Sequence, residues 1–317
     1  MMQTGAMTST EYPEGTHLSE GQALVRRLRF LSGMAVAVVI FWYVGFWAAR
    51  SNDPLAPITL VNVDQGVIAM AELLGLAVVA SGLAVAICGP NSVERGALAI
   101  AIGLAALGMR GSQIDKLILY RLDLITPSGP VAAFPTAALV AETWLWLALI
   151  SVGFIVGRWV DSWYDSNAAR AVLQPVDRAP DVRQGLGAVA VVSLVAWMVI
   201  SYAIGGDETP LLKGQIYFAI ALGFLIGSMV ANWLFQLHSR AWLLCAVALV
   251  ASAAYIFAGP DSATIDAARK TGSYITLRPV VRALPIEYAA MGAVGALLEH
   301  DVMALLRALL GLQPASR

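Results

Sequence analysis

The chain has 317 residues, 59% of them hydrophobic and 13% charged, with a net charge of −1. A soluble domain carries about 25% charged residues, so too few polar side chains are present to cover water-facing surfaces, which excludes a soluble globular enzyme. The near-neutral balance offers no basic excess for nucleic acid, and a mean hydropathy of +0.73 points to lipid as the surroundings.

Residues 1–29 read as a polar, disordered tail rich in Thr, Ser, Gly and Glu and closed by Arg26, Arg27 and Arg29. The apolar run 31–49 exceeds the core of a signal peptide, about 7–15 residues, and reads as a retained first span. Runs at 67–88, 96–110, 133–156, 185–205, 215–236 and 241–258 bring the clear spans to seven. The third, 96–110, is short; Arg95 and Arg110 extend it by snorkelling, with a re-entrant course as the alternative. An eighth run starts near Pro285 and meets Glu299, His300 and Asp301. Residues 302–312 after it read as an interfacial amphipathic helix, or as the continuation of the same helix if that polar cluster sits at an interface. Period-two alternation is absent from every run, so backbone satisfaction in lipid leaves helices alone. The expected fold is all-α: a polytopic integral membrane bundle of about eight transmembrane helices, forming a single domain over residues 30–312.

The hydrophilic stretch 159–184 reads as a linker between halves 30–158 and 185–312, each of four spans. The halves rhyme. Ser112-Gln113-Ile114-Asp115 parallels Ala263-Thr264-Ile265-Asp266, and Asp115 precedes Pro135 by 20 residues where Asp266 precedes Pro285 by 19. Gene duplication gives such a pattern, and so does chance between two apolar segments of limited alphabet. Residues 113–125 repeat apolar positions at helical spacing and predict a helix in the headgroup plane; the second loop, around Ile265 and Ala268, carries a weaker pattern.

Orientation rests on loop Lys and Arg, eleven on the side of the N-terminus against nine on the other. The first hairpin is more informative, with three arginines before the span and one after. It favours a cytoplasmic N-terminus in a bacterial inner membrane.

Ionisable groups at the centre of a span cost about 2.5–3.5 kcal/mol on insertion scales, which makes them candidates for function. Glu142 is the deepest, with Arg110 or Lys116 as expected partners, while Glu72 and Glu287 lie near helix starts where the macrodipole favours an acid. Gly223 and Gly227, four apart, and Asn232 predict close helix packing. Cys88 and Cys245 fall in apolar runs, and His17, His238 and His300 lack a metal-ligand spacing. No catalytic residue, cofactor, metal, nucleotide or nucleic acid is expected. The bilayer is the expected partner, together with another membrane protein or a second copy.

Three functions compete. A non-enzymatic accessory, assembly or scaffold component leads, followed by a proton- or cation-coupled small-solute transporter built on Glu142. An enzyme acting at the lipid interface ranks last for want of a nucleophile-base pair.

Overall fold

The computed structural model describes residues 20–50, 56–63, 65–89, 93–114, 117, 134–164, 182–205, 212–235, 240–271 and 277–310. Among them there is no strand, and the chain forms an all-α membrane bundle. Helix α1, Glu20–Val39, runs through a π-helical turn at Ile40–Gly45 into the short α2, Phe46–Ala49. It begins eleven residues before the expected first span, so residues 20–29 belong to a helix and not to a disordered tail. The Gln22–Arg29 segment is built from strong helix formers, which carry the helix past the apolar run. The remaining long helices are α3 (Gly66–Cys88), α4 (Val93–Arg110), α5 (Thr136–Tyr164), α6 (Val182–Ala203), α7 (Lys213–Phe235), α8 (Ala241–Ala258) and α10 (Pro285–Leu309).

Among the described residues, seven helices are long and apolar enough to cross a membrane: α1 with its continuation, α3, α5, α6, α7, α8 and α10. The eighth, α4, carries Glu94, Arg95 and Arg110 at its ends, yet its middle is buried on every side by α1, α3, α5 and α10. It is a continuous helix of 18 residues, about 27 Å long, and it forms the centre of the bundle. Two glycines let α5 approach it. A Cβ on Gly153 would lie 2.5 Å from Ala97 Cα, and one on Gly157 2.5 Å from the Val93 carbonyl oxygen.

Two open points of the sequence reading are decided, the first in favour of a single continuous helix. The last run is one helix through Glu299, His300 and Asp301 to Leu309, with no separate interfacial piece. No Gly or Pro interrupts residues 296–309, and Glu299 turns inward while His300 and Asp301 turn to the surface. A short amphipathic helix, α9 (Ser262–Thr271), lies in the second loop, where the pattern was weaker. Asp261 caps it, accepting the Thr264 N–H at 2.8 Å, and bonds from the Thr264 hydroxyl and N–H hold its carboxyl below the usual range. Of the predicted headgroup helix at 113–125, only residues 113, 114 and 117 are described; Ile114 and Leu117 are buried.

Contacts at the helix ends fix two faces. The lower face holds the start of α1, and the upper face holds the ends of α2, α4 and α8 and the starts of α5, α7 and α10. The two sets of four helices pack similarly. Within the first set, α1 packs on α3 and α4, and α5 on α3 and α4; within the second, α6 packs on α7 and α8, and α10 on α7 and α8. Between the sets, α4 meets α10 as α8 meets α5, and α5 meets α10, which is the pattern a two-fold exchange produces. The packing of α3 on α4 has no counterpart of similar extent between α7 and α8.

Candidate functional site

Buried polar groups concentrate at the upper face. Pro135 sets the start of α5, and Glu142, two turns further in, is only 2% exposed. Its carboxylate accepts three hydrogen bonds: from the Thr59 hydroxyl, from the Leu60 N–H at 3.0 Å and from Trp146 Nε1 at 2.9 Å. Thr59 and Leu60 belong to the connector between α2 and α3, whose residues Ala56, Ile58 and Thr59 are themselves buried. Thr59 also accepts the Val61 N–H at 3.3 Å, capping a single turn of 3-10 helix at Leu60–Asn62. A loop that would otherwise bury unsatisfied backbone is thus tied to a membrane helix by one carboxylate.

Glu287, at 0% exposure, occupies the third position of α10 after Pro285. One oxygen accepts the Leu284 N–H at 2.9 Å, the reach-back half of a capping box, with Pro at the first helical position. The other lies 3.2 Å from Lys213 Nζ. Lys213 has three N–H donors, and three carbonyl oxygens at the end of α4 take them: Gly108 at 2.5 Å, Gly111 at 2.7 Å and Ser112 at 3.2 Å. The C-terminal turn of α4 has orphan carbonyls and the negative end of the helix dipole, so a cation there caps the helix while it balances Glu287. Tyr217, one turn along α7, donates to the Ala105 carbonyl at 3.1 Å and completes the seam. Tyr255 and Tyr288 meet edge to face, with ring centroids 6.2 Å apart, and donate to the carbonyls of Ala283 and Val280.

The lower face carries a second polar cluster. Arg240, just before α8, pairs with Glu94 at the start of α4 and donates to the Leu297 carbonyl at 3.2 Å. Asn232 donates to Glu299 at 3.1 Å, joining α7 to α10.

The structure places the expected residues as follows. Glu142 does not meet Arg110, whose guanidinium donates to the Trp42 carbonyl at 2.6 Å and lies over the Phe46 ring at 3.6 Å; Lys116 lies outside the described residues. Arg110 is instead held at the π-helical turn, by the Trp42 carbonyl and the Phe46 ring. Glu72 is exposed on α3 and joins neither carboxylate. Gly223 and Gly227 face α6, where a Cβ would lie 3.2 Å from the Ala196 carbonyl and 3.0 Å from that of Val192. Sequence reasoning missed Thr59, Trp146, Lys213 and the Tyr217, Tyr255 and Tyr288 hydroxyls. Lys213 offered the one usable signal, a lone cation at the first position of an apolar run. Among the described residues no group of His, Cys, Asp and Glu is arranged to hold a metal ion.

No family model, no curated protein and no solved structure matches this chain.

Proposed function

We propose that the chain is a non-enzymatic, multi-pass component of a bacterial cytoplasmic membrane, an accessory, assembly or scaffold subunit with its N-terminal face in the cytoplasm. One observation carries this reading: the buried carboxylates at the upper face are each engaged by groups of the same chain, Glu142 by three donors and Glu287 by Lys213 and Leu284. A carboxylate that loads and releases a proton or cation needs an exchangeable partner, whereas these two bind a loop and a helix end. The work of such a subunit lies on its lipid-facing helix sides, where another membrane protein or a second copy would pack.

The competing reading is coupled transport through Glu142. Reconstitution of the full chain into vesicles separates the two. Proton and sodium flux equal to that of empty vesicles at several pH values is expected. Flux above that level, abolished by Glu142→Gln in a protein that still folds, would overturn the proposal.

A further inference from the structure

The corner of the lower face where α1, α3 and α4 meet gathers arginines. Gly33 packs α1 against the end of α3, where a Cβ would lie 3.1 Å from both the Ala84 carbonyl and Cys88 Sγ. One turn earlier, the Arg29 carbonyl accepts the Cys88 thiol at 3.9 Å, and Arg29 Nη1 comes within 3.9 Å of where a Gly89 Cβ would be. Gly89 takes φ +86, so α3 stops there while α1 continues past it. Arg26, three residues before Arg29, is exposed on the same side of α1. From α4, the Arg95 guanidinium lies 5.6 Å from the centre of the ring of Phe30, the residue that follows Arg29 on α1.

Lys213 has Glu287 and Arg240 has Glu94, but among the described residues no carboxylate lies within ion-pair distance of Arg26, Arg29 or Arg95. Their depth is marked by aromatic side chains. Tyr164 donates to the Ala86 carbonyl at 3.3 Å, and exposed Trp159 and Trp163 stack edge to face beside it on α5. Such rings sit at the membrane–water boundary, so the arginines lie at the level of the lipid headgroups. Guanidinium groups from two helices, with no carboxylate partner among the described residues, recognise phosphate through paired N–H donors.

We infer that Arg29 and Arg95, assisted by Arg26, bind the phosphate of an anionic phospholipid headgroup in the lower leaflet. The headgroup supplies a counter-charge that no described residue gives at this corner and bridges α1 to α4 beside the end of α3.

Native mass spectrometry of the purified full-length chain, titrated with phosphatidylglycerol or phosphatidylcholine, tests this. Phosphatidylglycerol should be retained in preference. Arg29→Gln with Arg95→Gln should weaken its retention by about thirtyfold, given the usual contribution of two interfacial arginines. Arg50→Gln with Arg278→Gln, on the upper face, should leave it unchanged. Equal retention of the two lipids, or equal loss in both double variants, would overturn the inference. Displacement of phosphatidylglycerol by millimolar inorganic phosphate would also overturn it, because the site would then take a free anion. Should the double glutamine variant fail to fold, thermal unfolding of the unaltered chain decides: a rise specific to phosphatidylglycerol supports the site, and equal rises with both lipids reject it.

Discussion

The two buried carboxylates of the upper face occupy parallel places and solve their burial differently. Each lies near the start of the fourth helix of its set, and each reaches the connection between the first and second helices of the same set. Glu142 meets Thr59 and Leu60 there, and Glu287 meets Lys213. Glu142 is satisfied by three neutral donors with no cation against it, whereas Glu287 has one backbone donor and an ammonium. Their registers differ too: Glu142 is seven residues after Pro135 and Glu287 two after Pro285, so a duplication did not hand down one residue to both sites. What the halves share is an architectural demand. A connector folded into the end of a bundle needs a strong acceptor or donor to hold it, and different residues answer it.

The difference implies unequal fragility. Removing one member of a buried ion pair leaves the other uncompensated, which costs about 3–5 kcal/mol. Lys213→Met should therefore give the largest loss in this region, since it also uncaps Gly108, Gly111 and Ser112. Unfolding in detergent, followed by tryptophan fluorescence, measures it. Adding Glu287→Gln should recover part of the loss by removing the stranded charge, with the open carbonyls keeping the rest. A double variant no more stable than Lys213→Met would mean that Lys213 acts as a helix cap alone.

Glu142→Gln should cost less, about 1–3 kcal/mol, because the side chain keeps its shape and one oxygen while its amide group confronts a donor. The same unfolding measurement applies. A cost equal to that of Lys213→Met would erase the distinction between the two sites, and a neutral result would show that the charge of Glu142 contributes nothing to holding the loop.

The bundle was legible in the sequence because hydrocarbon thickness imposes a run length, and that length survives any change of neighbours. The short run 96–110 was harder to read. Its shortness leaves a re-entrant course open, and only its neighbours α1, α3, α5 and α10 explain why a helix with three charges sits at the centre. The depth of Glu142 was also legible, since it lies well inside a run. Its partners were not: Thr59 is 83 residues away and has no pattern of its own. Glu287 read as a helix-start acid and does cap α10, but its complete burial depends on Lys213 from another helix. In the loop charge tally Lys213 stood as a solvated cation. The structure removes it from that role, and with it some of the weight of the near-even tally. Gly223 and Gly227 were found by their spacing, while Gly153 and Gly157, at the same spacing, were passed over although they bring α5 closest to α4.

The smallest effect is the most local. Thr59→Val keeps the volume and removes one donor to Glu142, one acceptor for the Val61 N–H and nothing at Lys213. A loss of about 1 kcal/mol is expected, with Thr59→Ser close to the unaltered chain because it restores the hydroxyl. Hydrogen exchange should localise the change, with faster exchange at the Leu60 and Val61 amides and none at the start of α7. The combination with Lys213→Met then asks whether the sites are separate. Distant sites add to within about 0.5 kcal/mol. Additivity would make the two carboxylates independent fastenings. A larger interaction would show that they share a medium, and Tyr255, whose hydroxyl holds the Ala283 carbonyl next to the Leu284 N–H that Glu287 accepts, is the side chain to test. Tyr255→Phe in the same cycle should then restore additivity, since it deletes the hydroxyl while leaving the ring against Tyr288.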